Sequence, residues 1–97
     1  MGGDSFSTTE IFKEGSWEPG PSLPQPLWNH CQVEVGGQVV IAGGRESGGA
    51  VARTLVMDGD SWTEVSSMVH KRQFHACAEF SGKIYSIGGE TAAGYLL

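Results

Sequence analysis

Trp17 returns as Trp62, and Gly43-Gly44 returns as Gly88-Gly89, each 45 residues later. Sliding 8–44 onto 53–89 needs no gap, and nine of those 37 positions are identical. Thr9/Thr54, Ser16/Ser61, Ser22/Ser67, His30/His75, Glu34/Glu79 and Gly37/Gly82 complete the set. Other pairs keep their character, such as Ile11/Val56, Leu23/Met68 and Val39/Ile84. A fixed period of this length is the mark of a repeat architecture. Each copy is one small structural unit that cannot bury its own apolar faces and must stack on neighbours. Two copies fall short of the roughly three that such arrays need. The 97-residue chain therefore reads as a piece of something larger, or as a subunit that closes by assembling.

Within one period every local signal is strand or turn. His75–Phe80 is a short run followed by Ser81-Gly82, then Lys83–Ile87, then Gly88-Gly89. Two runs joined by a two-residue turn containing glycine predict a β-hairpin. A second hairpin follows the Gly-Gly loop: Thr54–Met57, the turn Asp58-Gly59-Asp60, and Ser61–Val65. No 3.6-residue apolar period spans ten residues, so no helix is expected. Naming the strands a to d, the chain reads as all-β, built of four-stranded antiparallel propeller blades. One blade is complete at 23–67, strands c and d of another occupy 1–22, and strands a and b of a third occupy 68–97, about two blades of a partial propeller. Met1-Gly2-Gly3 reads as the end of a strand b, and Leu97 as a position in the next b–c loop.

Eleven acidic against six basic residues leave a net charge of −5. That argues against nucleic acid or an anionic membrane as partner, because both reward a basic surface. No apolar run of about 18 residues suggests a membrane helix, and the N-terminus has no signal-peptide character. Cys31 aligns with Ala76 and Cys77 with Gln32. One residue out of phase, they point to opposite faces of their strands. This argues against an intrachain disulfide, and two free thiols suggest a reducing, cytoplasmic setting.

The stretch Met68–Gly89, preceded by Asp58-Gly-Asp-Ser-Trp62, resembles a Kelch repeat. The carrying marks are a double glycine ending a strand, Tyr85 within that strand, Trp62 in the last strand, and Arg72 some way after it. The first copy departs from the pattern, with Leu27 in place of Arg72, Val40 in place of Tyr85, and Pro24 and Pro26 in the d–a connection. The resemblance implies a Kelch-type propeller that binds a partner protein, often through a short acidic peptide. In BTB–Kelch adaptors such a propeller presents its partner to a cullin ubiquitin ligase. The enzyme alternatives are galactose oxidase-like and sialic-acid epimerase-like propellers, and a cytoskeletal scaffold is a third reading. Galactose oxidase-like chemistry lacks its copper-type Tyr/Cys/His set here.

The recurrent residues favour structural roles. The Gly-Gly pairs lack the following helix that a phosphate loop requires. Trp17 and Trp62 read as fillers between blades. His30 and His75 lack zinc-type ligand spacing and read as hydrogen-bonding at the start of strand a. Glu34 and Glu79 have no companion that completes a catalytic set. No cofactor, metal or catalytic residue is expected.

The d–a and b–c loops share one face of an antiparallel blade, and function concentrates on such loops. Four of the nine Lys, Arg and His residues lie there, at Arg45 and at His70, Lys71 and Arg72. With Phe74 and Asn29 they form the predicted partner-binding set, suited to a protein or an acidic peptide. Self-assembly that completes a blade in trans is the second expected partner mode, with three chains making a six-bladed ring.

Overall fold

The computed structural model describes residues 7–91; the assignments made above for Met1–Gly3 and for the chain beyond Thr91 lie outside the described residues. Ten strands are present among the described residues: β1 (Glu10–Lys13), β2 (Ser16–Pro19), β3 (Cys31–Val35), β4 (Gln38–Ala42), β5 (Arg45–Glu46), β6 (Gly49–Ala50), β7 (Thr54–Asp58), β8 (Ser61–Val65), β9 (Ala76–Phe80) and β10 (Lys83–Ile87). No helix occurs among the described residues.

A four-stranded antiparallel sheet in the order β3-β4-β7-β8 forms the complete blade, with strands a to d in sequence order. The β1–β2 hairpin supplies the c–d pair of the blade before it, and β9–β10 the a–b pair of the blade after it. The turns follow local chemistry. Glu14-Gly15, Gly36-Gly37 and Ser81-Gly82 all have positive φ at both central positions, which matches the right-handed twist of the flanking strands. In the fourth, Asp58 pairs with Ser61, so the turn is two residues, not the three read from sequence, and only Gly59 is at positive φ. The b–c loop folds into its own small hairpin, β5–β6, which strand patterning did not suggest because each arm has only two residues.

Register divides the complete blade into two faces. Cys31, Val33, Val40, Ala42, Thr54 and Val56 share one face; Gln32, Val39, Ile41, Leu55, Met57 and Trp62 share the other. The d–a connection lays Leu23 and Leu27 over the second face, where they bury with Ile41 and Leu55 and are joined by Val51 and Trp62. Leu27 thus departs from the repeat pattern because it is a core residue. Trp62 is half-buried there, and its indole N–H donates to the Pro21 carbonyl at 2.9 Å.

The first face meets β9–β10. Main-chain hydrogen bonds stitch this seam: Gly44 N–H to Arg72 O at 2.8 Å, Arg72 N–H to Val51 O at 3.1 Å, and Phe74 N–H to Asn29 O at 3.1 Å. Cys31 and Cys77 are joined across it as a disulfide, with Cα atoms 5.7 Å apart. This pairing overturns the expectation of two unpaired thiols. The two cysteines do occupy opposite faces of equivalent strands, but stacked blades present opposite faces to each other. The phase offset is therefore what brings them together. No free cysteine remains among the described residues, so the free-thiol argument for a reducing compartment no longer holds. The crosslink spans 46 residues, which in the chain-entropy account stabilises the fold by about 4 kcal/mol.

Candidate functional site

The d–a and b–c loops meet by isolated bridges that repeat with the period: Trp28 pairs with Arg45, and Gln73 with Glu90. Both bridges carry a d–a residue beside a b–c residue, so the two loop types form one ridge per blade. Asn29 and Phe74, the next equivalent pair, both adopt positive φ (58° and 54°). Asn29 reaches the following blade twice, through its carbonyl to Phe74 N–H and through Nδ2 to Gln73 Oε1 at 3.3 Å.

The six predicted partner-binding residues separate on this framework. His70 and Lys71 are exposed, and Phe74 is 61% exposed although its backbone is tied to Asn29. Arg45 is half-buried, with its guanidinium 6.0 Å from the Trp28 ring centroid. Asn29 is half-buried and occupied by the inter-blade contacts just given. Arg72 points into its own blade: Nη1 donates to the carbonyls of Gly88 (3.0 Å) and Ser86 (3.4 Å). Its Nε is buried without a partner among the described residues. Arg72 therefore braces the end of β10, and the exposed polar side chains of this connection include His70 and the Lys71 cation.

Arg53 was missed in the sequence because its counterpart in the first repeat is Thr8, so it does not recur. Its fork holds Glu46 at 2.9 and 3.0 Å, and Nη1 also contacts Glu64 at 3.2 Å. These bonds hold its guanidinium firmly in the charged form, chiefly through Glu46. The clamp pins the β5–β6 loop to β8.

Beneath the ridge, His75 crosses the seam. Its Nε2 lies 2.8 Å from Ala42 O and 3.1 Å from Cys31 Sγ. A carbonyl only accepts, so Nε2 carries the proton that donates to Ala42. Burial lowers the pKa of His75, with smaller contributions from the charges of Arg72 and His30 acting against the Ala42 bond. The hydrogen bond expected near the start of strand a is present, but it reaches the preceding blade.

A groove lined by Ile11, Leu27, Val39, Ile41, Met57 and Trp62 separates β1–β2 from the complete blade. It follows the second face, where an a–b hairpin would pack, and its lining is mainly apolar side chains of strands and core. It is inter-blade space, and its polar lining comes from Thr8, Thr9, Glu10, His30 and Gln32.

Two loop types on one ridge, radial four-stranded order and face-to-face stacking define a partial β-propeller. No family model matches the chain. It is 32% identical to mouse Kelch-like protein 36 over 91 residues, which is 87% of this chain and 15% of that protein. It is 29% identical to Kelch-like protein 25 of Xenopus tropicalis over 99 residues, 95% of this chain and 17% of the relative. The solved structure of YjhT matches the fold with a TM-score of 0.80 over 93% of this chain and 33% of that one, at 13% identity. The chain belongs to the Kelch-repeat propellers, and it spans less than a fifth of the curated relatives it matches.

Proposed function

We propose that this segment is a protein-binding module whose loop ridge receives an acidic peptide. The observation that carries the reading is the single d–a connection that exposes His70, Lys71 and Phe74 together, while Phe74 N–H anchors that connection to the neighbouring blade. An aromatic held on a fixed backbone beside the Lys71 cation and the His70 imidazole offers apolar area, charge and hydrogen bonding at little ordering cost. Arg45 on the adjoining b–c loop adds a second cation. In a longer protein of the Kelch-like kind, this face would select the protein handed to a cullin ubiquitin ligase, an expectation drawn from the family resemblance.

The test is fluorescence anisotropy with a labelled glutamate-rich peptide and its lysine-rich counterpart. The acidic peptide binds, the basic one does not, and Lys71→Glu combined with Arg45→Glu weakens the acidic peptide by about tenfold or more. Equal affinity for the two peptides, or no change in the variant, removes the reading.

The second partner mode is a second copy of this chain. Among the described residues, β10 pairs only with β9, and β1 only with β2. Carrying the b–c register of the complete blade through one period aligns Tyr85 with Ile11, Ser86 with Glu10, and Ile87 with Thr9. Pairing of this kind between chains completes a blade, and three chains make a six-bladed ring. A trimer mass in light scattering supports closure, whereas a folded monomer rejects it.

A further inference from the structure

The seam gathers three donors from two blades. The sulfurs of Cys31 and Cys77 and a ring nitrogen of His75 lie within 4.8 Å of one another. His75 and Cys77 are two residues apart and face the complete blade together, while Cys31 looks back from β3. Cys31 is buried, and the other two are half-buried. His75 also has a buried ring nitrogen, Nδ1, with no partner among the described residues. We propose that, once the disulfide is reduced, Cys31, Cys77 and His75 form a three-donor site for a thiophilic d10 cation of the zinc type.

The donor chemistry supports this choice. Two thiolates and one imidazole favour zinc or cuprous ions over magnesium or calcium, which take oxygen. Metal–sulfur and metal–nitrogen bonds of about 2.3 and 2.0 Å place donors of one tetrahedral centre roughly 3.3–3.8 Å apart. Cys31 Sγ and His75 Nε2 already lie 3.1 Å apart, so small side-chain rotations suffice. Ligation through Nε2 moves the imidazole proton to Nδ1 and gives up the bond to Ala42 O. Ligation through Nδ1 keeps that bond. The three protein donors leave one coordination position for water or an exogenous ligand.

Disulfide and metal exclude each other, because bonded sulfurs offer no thiolate. Reduction by a water-soluble trialkylphosphine balances as disulfide plus phosphine plus water giving two thiols and phosphine oxide. Metal binding then displaces the two thiol protons to solvent. Loading of the site thus depends on the redox state of the pair that crosslinks the blades. This inference is independent of the peptide-binding ridge, which none of the three side chains joins.

The experiment titrates zinc into the whole chain, oxidised and phosphine-reduced, against a chromophoric chelator, and repeats the titration with cobalt(II) as a spectroscopic probe. The reduced chain takes one zinc per chain and the oxidised chain none. The cobalt adduct shows sulfur-to-metal charge transfer that weakens in Cys77→Ser. In the reduced chain His75→Gln, which keeps both sulfurs and therefore tests the third donor alone, lowers zinc affinity at least tenfold, and exposed His70→Gln leaves it unchanged. Equal zinc uptake by oxidised and reduced chains overturns the site, as does wild-type affinity in Cys77→Ser or His75→Gln. Failure of the reduced chain to compete with the chelator overturns it equally.

Discussion

A Cβ placed on Gly89 would lie 2.7 Å from the Cβ of His75, and one placed on Gly44 would lie 2.7 Å from the Cβ of His30. The second glycine of each pair makes room for the histidine of its own repeat. The first glycine serves the next blade: on Gly43 a Cβ would meet Arg72 O at 2.7 Å, whereas on Gly88 it meets nothing. Gly44→Ala is expected to cost about 2–5 kcal/mol, combining a φ of +103° with the clash. Gly88→Ala, with φ alone to bear, should cost only about 1–2 kcal/mol. Urea midpoints of the two variants decide it, and equal losses would show that backbone conformation alone sets the requirement.

The two repeat tryptophans should differ sharply. Trp62 packs on Leu23, Leu27, Ile41 and Leu55 and donates to Pro21, whereas Trp17 is 64% exposed and touches Phe12 at a ring-centroid distance of 5.2 Å. Trp62→Ala should lose about 2–4 kcal/mol, and Trp17→Ala about 0.5–1.5 kcal/mol, the value of an aromatic pair. Trp62→Phe isolates the indole hydrogen bond at roughly 1 kcal/mol. Thermal melts of the three proteins test the ordering.

Arg72 should act on stability and not on peptide capture. Replacing it by leucine, the residue of the first repeat, strips the bonds to Ser86 O and Gly88 O and should cost about 1.5–3 kcal/mol. Peptide affinity, corrected for the folded fraction, should stay at the wild-type value. A drop in affinity without loss of stability would return Arg72 to the binding ridge.

Acid should weaken the fold. Burial lowers the pKa of both His30 and His75 below the ordinary 6.5. Below pH 6.5 the unfolded chain therefore binds more protons than the folded chain, and stability falls as pH drops toward the depressed folded values. Urea midpoints of the oxidised chain should decrease between pH 7.5 and 5.5, and His75→Gln should flatten part of that slope. A midpoint that rises on acidification in this range would contradict the lowered pKa of these half-buried rings.

The period, the hairpins and their glycine turns were legible because they are local. A two-residue turn at positive φ, alternation along a strand and a recurring tryptophan each depend on neighbours a few residues away. The loop ridge was legible too, since antiparallel order alone places d–a and b–c loops at one end. Tertiary structure decided what lies between blades. Leu27 became core because the d–a connection folds over Ile41 and Leu55, and Arg72 turned inward because the carbonyls of Ser86 and Gly88 at the end of β10 lie within its reach. Cys31 and Cys77 met because stacking sets opposite faces of equivalent strands against each other, and His75 reached Ala42 and Cys31 across the same seam. Strand phase in the sequence specifies a face. Which face of which sheet it meets is set only by how the blades stack.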